Sequence, residues 1–159
     1  MKVFIKNKLF SVRGSSSVKD ETGHDAYYVR GKLFSPTHVK YVCNAEKEKL
    51  YKVRNKWFNF FAYRAYVYNA EGEKIACVKH PPFGGKRFVV EGYREEISVD
   101  GEFFSMRSSI YRNGKPIGTI DRQFTVVQDA FCLEGEEEDI PFLIALVIAI
   151  DNIYDKISR

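Results

Sequence analysis

EGEEED (Glu134–Asp139) runs directly into IPFLIALVIAI (Ile140–Ile150). Five acidic residues precede a segment that is apolar on every side. Pro141 suits the first turn of a helix, where its missing N–H costs nothing. The carboxylates favour the positive end of the helix dipole. A helix that is apolar all round must be sheathed by lipid or by protein. This one is shorter than the roughly 20 residues a bilayer span requires. After Ile150 the pattern turns one-sided: Ile153, Tyr154 and Ile157 alternate with Asp151, Asp155 and Lys156. The reading is a core helix over about 138–157, threaded into protein, with its last turns emerging.

The wrapping must come from residues 1–133. They read as short strands separated by turn signals at a spacing of about 8–12 residues, the pattern of an all-β sandwich or barrel. GSSS (Gly14–Ser17) reads as a loop, and KDETGHD (Lys19–Asp25) as a turn. VCNAEKEKLYKV (Val42–Val53) and VYNAEGEKIACV (Val67–Val78) share seven of twelve positions. IYRNGKPIGTI (Ile110–Ile120) is a looser copy with Asn113-Gly114, a strong hairpin signal. Each unit is strand, polar turn, strand. About twelve strands make a barrel wide enough for a helix about 10–12 Å across. The expected fold is one mainly β domain over residues 1–159: a closed antiparallel barrel of about twelve strands around a central apolar C-terminal helix.

Charge is divided unevenly. The net charge is +4. Residues 134–159 hold seven acidic and two basic groups, so residues 1–133 carry a net of +9. A basic body suits an anionic partner such as a membrane surface or nucleic acid. Solvated strand faces with lysines guarding sheet edges are the plainer and favoured explanation. Cys43, Cys77 and Cys132 lie far apart without a CxxC pair, which fits small reduced core residues and a cytosolic chain. MKVFIKNKLF lacks the apolar run of a signal peptide.

Two segments stand out as sites. KHPPFGGKR (Lys79–Arg87) places Lys79, His80, Lys86 and Arg87 around a Gly-Gly tip whose N–H groups can hold a phosphate. A surface loop with solubilising charges is the plainer alternative. RNKWFNFFAYR (Arg54–Arg64) crowds Trp57, Phe58, Phe60 and Phe61 beside Arg54 and Lys56, the composition of a membrane-surface or partner contact. Burial of alternate residues against the core is its plainer reading. His24, His38 and His80 show no metal-ligand spacing, and no cofactor motif is present. No acid, base or nucleophile is set out in an enzymatic pattern. A nucleic-acid partner is permitted by charge, but no reading helix is evident.

The Asp20–Gly23 turn before YYVRG, the repeated N-A-E-x-E-K hairpins, the strand after Asp100-Gly101 and the final helix, in that order, resemble the LURP-one-related family. That family belongs to the tubby C-terminal-domain-like superfamily, with the phospholipid scramblases. The resemblance implies a twelve-stranded barrel around a central helix. It also implies, by the superfamily's habit, binding of anionic phospholipid headgroups without catalysis, in the cytoplasm or peripherally on a membrane. The scramblases' cysteine cluster and membrane anchor are not found here. A protein-interaction module using residues 57–63 is the alternative, and an enzyme or small-ligand carrier a more distant one.

Overall fold

The structure is a computed structural model that describes residues 1–6, 15–32, 34–58, 62–81, 88–101, 107–124 and 129–157. Among these residues twelve strands precede one helix: β1 (Lys2–Lys6), β2 (Ser15–Asp20), β3 (Asp25–Gly31), β4 (Lys40–Cys43), β5 (Lys49–Asn55), β6 (Tyr63–Tyr68), β7 (Lys74–His80), β8 (Val89–Gly92), β9 (Ile97–Asp100), β10 (Arg107–Arg112), β11 (Lys115–Phe124), β12 (Asp129–Gly135) and α1 (Ile140–Ile157). The strands form one antiparallel sheet in the order β8-β7-β6-β5-β4-β3-β2-β1-β12-β11-β10-β9. Chain neighbours are therefore sheet neighbours, with one exception. β8 and β9 follow each other in the chain but share no ladder. The ring is joined instead by β1 on β12, with Val3 opposite Leu133 and Ile5 opposite Phe131. The barrel is nearly closed, with a seam between β8 and β9.

Strand alternation turns one apolar set inward. Val3, Ile5, Val18, Val29, Val42, Val53, Val67, Val78, Ile110 and Leu133 are all buried and pack around the helix. Every residue of α1 from Ile140 to Ile150 is buried. Each large aliphatic there contributes roughly 2 kcal/mol of burial free energy, so the helix supplies much of the core. It lies closest to β5 and β6, where Ala65 lines the wall beside Ala76 of β7 and small side chains permit close approach. Gly118 and Gly135 do the same on β11 and β12. A Cβ on Gly118 would stand 2.5 Å from Leu143 Cδ1 and 2.5 Å from the Glu134 carbonyl oxygen.

The repeated hairpins are as expected. In each, an Asn side chain accepts from a Glu N–H four residues on: Asn44 from Glu48 at 2.8 Å and Asn69 from Glu73 at 2.8 Å. Asn113 (φ 51°) and Gly114 (φ 79°) form the two-residue β10–β11 turn. Two local readings differ. Ser15 to Ser17 are not loop but the first half of β2, paired with Tyr28 to Arg30; serines suit a strand whose outer face meets water. The acidic run does not lie in the first turn of α1. Asp139 sits just before the helix and its carbonyl accepts from Leu143 N at 3.1 Å. Its buried carboxylate goes to Arg112 Nη1 at 2.6 Å, while Glu136, Glu137 and Glu138 remain exposed.

Candidate functional site

An up-and-down barrel puts alternate connections at opposite ends. The end where α1 begins receives the turns β2–β3, β4–β5, β6–β7, β8–β9 and β10–β11 and the link β12–α1. Those residues (21–24, 44–48, 69–73, 93–96, 113–114 and 136–139) include eleven acidic and two basic side chains, a formal net of −9, and no Phe or Trp. The end where α1 terminates receives the other six connections (7–14, 32–39, 56–62, 81–88, 101–106 and 125–128). By sequence these hold six basic residues and one acidic residue. They also hold nine of the thirteen phenylalanines and the lone tryptophan. We call the two the acidic end and the aromatic end.

Exposure follows the same division. Seven large apolar side chains are exposed among the described residues. Five of them, Phe34, Trp57, Phe58, Val89 and Ile157, lie toward the aromatic end, so exposed apolar surface is concentrated rather than scattered. Phe34 is 90% exposed, Phe58 63% and Trp57 56%. The Trp57 and Phe58 rings meet edge-on at 6.1 Å. Phe34 adopts φ 55°, a left-handed conformation that costs a bulky residue on the order of 1 kcal/mol.

The base beneath these rings is rigid. Asn55 N donates to the Thr37 carbonyl at 2.8 Å and ties the Phe34 connection to the Trp57 connection. Asn152, buried near the end of α1, donates from Nδ2 to the His38 carbonyl at 2.9 Å and accepts from Asn55 Nδ2 at its own carbonyl at 3.2 Å. Lys40 Nζ lies 3.5 Å from Asp151, and His38 Nδ1 3.7 Å from Asp155. Burial lifts the Asp151 carboxyl to about 6 against the pull of Lys40. Burial likewise lowers Lys40 from the usual lysine range. The helix terminus is thus wired to two loops that carry exposed rings.

The structure brings both segments singled out in the sequence to this end. Lys79 stands opposite Arg64 and His80 opposite Tyr63, while Lys56 N donates to the Arg64 carbonyl at 2.9 Å. Lys79 is ion-paired with Glu91, and that contact holds Glu91 below the usual carboxylate range. His80 meets Phe88 at 4.9 Å, and Phe88 meets Tyr154 of α1 at 5.2 Å. Arg54 points outward and donates from Nε to the Tyr68 hydroxyl at 2.9 Å. Lys86, Arg87, Phe60 and Phe61 lie outside the described residues. Phe34 was not apparent as a site residue; nothing in K-L-F-S-P marks the exposure of its ring.

At the acidic end, Tyr51, Asn69, Ile75, Arg94, Ile97 and Phe142 help line a cavity of about 330 Å³ below the seam. Arg112 spans it, bonded to Asp139 and 3.0 Å from Glu95, with its guanidinium 5.2 Å from the Phe142 ring. Arg94 is held by Glu73 at 2.9 Å. Its cations are thus matched by carboxylates. No group of three or more His, Cys, Asp or Glu side chains able to hold a metal occurs among the described residues.

A family described as LURP-one-related matches residues 1–151. The chain belongs to the LURP-one-related family. A crystal structure of an Arabidopsis thaliana protein is similar in fold, with a TM-score of 0.59 at 12% identity, over 99% of this chain and 92% of that one. No curated protein matches the sequence. The barrel around a C-terminal helix is the architecture that the LURP-one-related resemblance implied. No helix among the described residues is long and apolar enough to cross a membrane.

Proposed function

We propose that this LURP-one-related barrel is a non-enzymatic cytoplasmic module that docks its aromatic end on a surface of anionic phospholipid headgroups. The carrying observation is the gathering of Phe34, Trp57, Phe58, Val89 and Ile157 at one end of the barrel. Amphipathic rings beside cations suit the headgroup layer. The charge distribution supports the same pose, because the acidic end then faces away from the lipid. Three rings at roughly 2 kcal/mol each, with Lys32 and Lys56 of the same connections at roughly 1 kcal/mol each, favour attachment. Desolvation and the ordering of side chains offset part of that, which leaves reversible binding.

The test is co-sedimentation with vesicles rich in phosphatidylserine at low salt, against vesicles of phosphatidylcholine alone. Retention on the first only, lost in Trp57→Ser/Phe58→Ser and weakened by added salt, is the expected result. A protein left in the supernatant under all conditions sinks the proposal. The exposed Trp57–Phe58 pair also suits a protein partner. A dimer by light scattering that dissociates in the same variant, with no vesicle retention, would favour that reading.

A further inference from the structure

A second basic surface runs along the side of the barrel. Strands β4, β5, β6 and β7 contain seven Lys or Arg residues and no Asp or Glu. Lys40 turns inward to Asp151, and Lys79 is matched by Glu91. Lys52, Arg54 and Lys74 instead surround two tyrosines on the outer face. The ladders set Lys52 opposite Tyr68 and Arg54 opposite Tyr66, and Tyr68 opposite Lys74. Lys74 Nζ lies 3.9 Å from the Tyr66 ring centre, and Lys52 Nζ 5.5 Å from that of Tyr68. Arg54 reaches both rings, at 5.8 and 5.5 Å. Lys49 extends the row over Tyr41 at 4.1 Å.

None of Lys49, Lys52, Arg54 and Lys74 has a carboxylate in salt-bridge distance among the described residues. In the adjoining turns Glu48 is bonded to Asn44, and Glu73 to Asn69 and Arg94. The rings hold the cations in place through cation–π attraction, so little side-chain entropy remains to be lost on binding. No exposed large apolar side chain lies in β4–β7 among the described residues. This wall therefore suits a polyanion in water better than the interior of a lipid layer.

We propose that the β4–β7 wall binds single-stranded nucleic acid, with Lys52, Arg54 and Lys74 on its phosphates. Residues two apart on a strand recur at about 6.8 Å, a spacing of the same order as successive phosphates along an extended strand. The tyrosine faces are covered by the cations, so contact falls on the phosphates and is tolerant of sequence. The described residues of this wall hold no helix to enter a duplex groove, so the single strand is the committed partner.

The test is fluorescence anisotropy with a labelled oligothymidylate or oligouridylate, titrated at several salt concentrations with the full chain. Wild type binds, and Lys52→Gln/Lys74→Gln weakens binding at least tenfold. The slope of log K against log salt falls by about 1.4 in that variant, at roughly 0.7 per phosphate lost. Lys52→Arg/Lys74→Arg retains binding and controls for folding. Trp57→Ser/Phe58→Ser binds the oligonucleotide as wild type does, which separates this surface from the membrane-docking end. No binding at low salt overturns the proposal, as does an unchanged slope in the Gln variant. If the Gln variant instead loses vesicle retention while wild type ignores the oligonucleotide, the wall belongs to the membrane surface.

Discussion

The two ends of this barrel are made from the same hairpins but are chemically opposite. At the acidic end, turns are short, polar and locked. Asn44 and Asn69 each close one of them, Asn113 accepts from Glu96 N and ties the β10–β11 turn to the β8–β9 link, and Arg112 clamps Asp139 at the start of α1. At the aromatic end, connections are longer and richer in aromatic residues by sequence. A helix already fills the lumen, and the described rings there divide between covering the mouth and facing outward. Phe88 covers it, on Tyr154; Phe34, Trp57 and Phe58 face outward. One end therefore holds the fold, and the other is free to meet a partner.

The largest expected effect tests the helix common to both ends. Truncation before Ile140 removes the axis of the core, and the remaining strands lose their cooperative thermal transition in calorimetry. A soluble truncation with a sharp transition would break the architecture. Next is the lock at the acidic end. Arg112→Met strands the buried Asp139 carboxylate, at a cost of about 2–3 kcal/mol after allowing for the partly exposed arginine. For a chain of this size that lowers Tm by roughly 5–10 °C. Vesicle binding is unchanged in the folded variant.

At the aromatic end stability and binding should move apart. Phe34→Gly relieves a left-handed φ and raises stability by about 1 kcal/mol, read from denaturant midpoints. It also removes an inserted ring, so partition onto anionic vesicles falls about tenfold. A variant that loses stability would show that Phe34 packs on the fold rather than standing out from it.

The smallest effect concerns pH. Asp151 faces Lys40 of β4 and shares its helix turn with Asp155, which in turn meets His38. Its folded pKa, about 6, lies above its unfolded value. The stability this group contributes is therefore full below about pH 4. It is lost as pH rises through 6. Acidification from pH 7 to 5 protonates Asp151 without cost from this group and leaves the end one charge more positive. Vesicle affinity should rise several-fold with a midpoint near 6, and the rise should be smaller in Asp151→Asn.

Much of this architecture was legible because it rests on local chemistry. The apolar run from Ile140 to Ile150, the N-A-E-x-E-K turns and Asn113-Gly114 each state their own conformation. What was not legible is what depends on distant partners. Ser15 to Ser17 form a strand only because Tyr28 to Arg30 lie beside them. Lys79 looks like an unmatched loop cation until β8 brings Glu91 to it. The row of Lys52, Arg54 and Lys74 is divided between β5 and β7 and emerges only from the register. Phe34 and Trp57 are 23 residues apart, and their connections are tied together by the Asn55–Thr37 hydrogen bond. The missing β8–β9 ladder has no counterpart in composition at all.

Trp57 is the chain's single tryptophan and stands in the middle of the surface at issue, so its emission reports on docking without a label. Adding phosphatidylserine vesicles at low salt should shift that emission to the blue and shield it from aqueous quencher, with reversal at high salt. An emission spectrum and quenching that stay those of the free protein at saturating lipid would contradict the assignment of the aromatic end to a membrane surface.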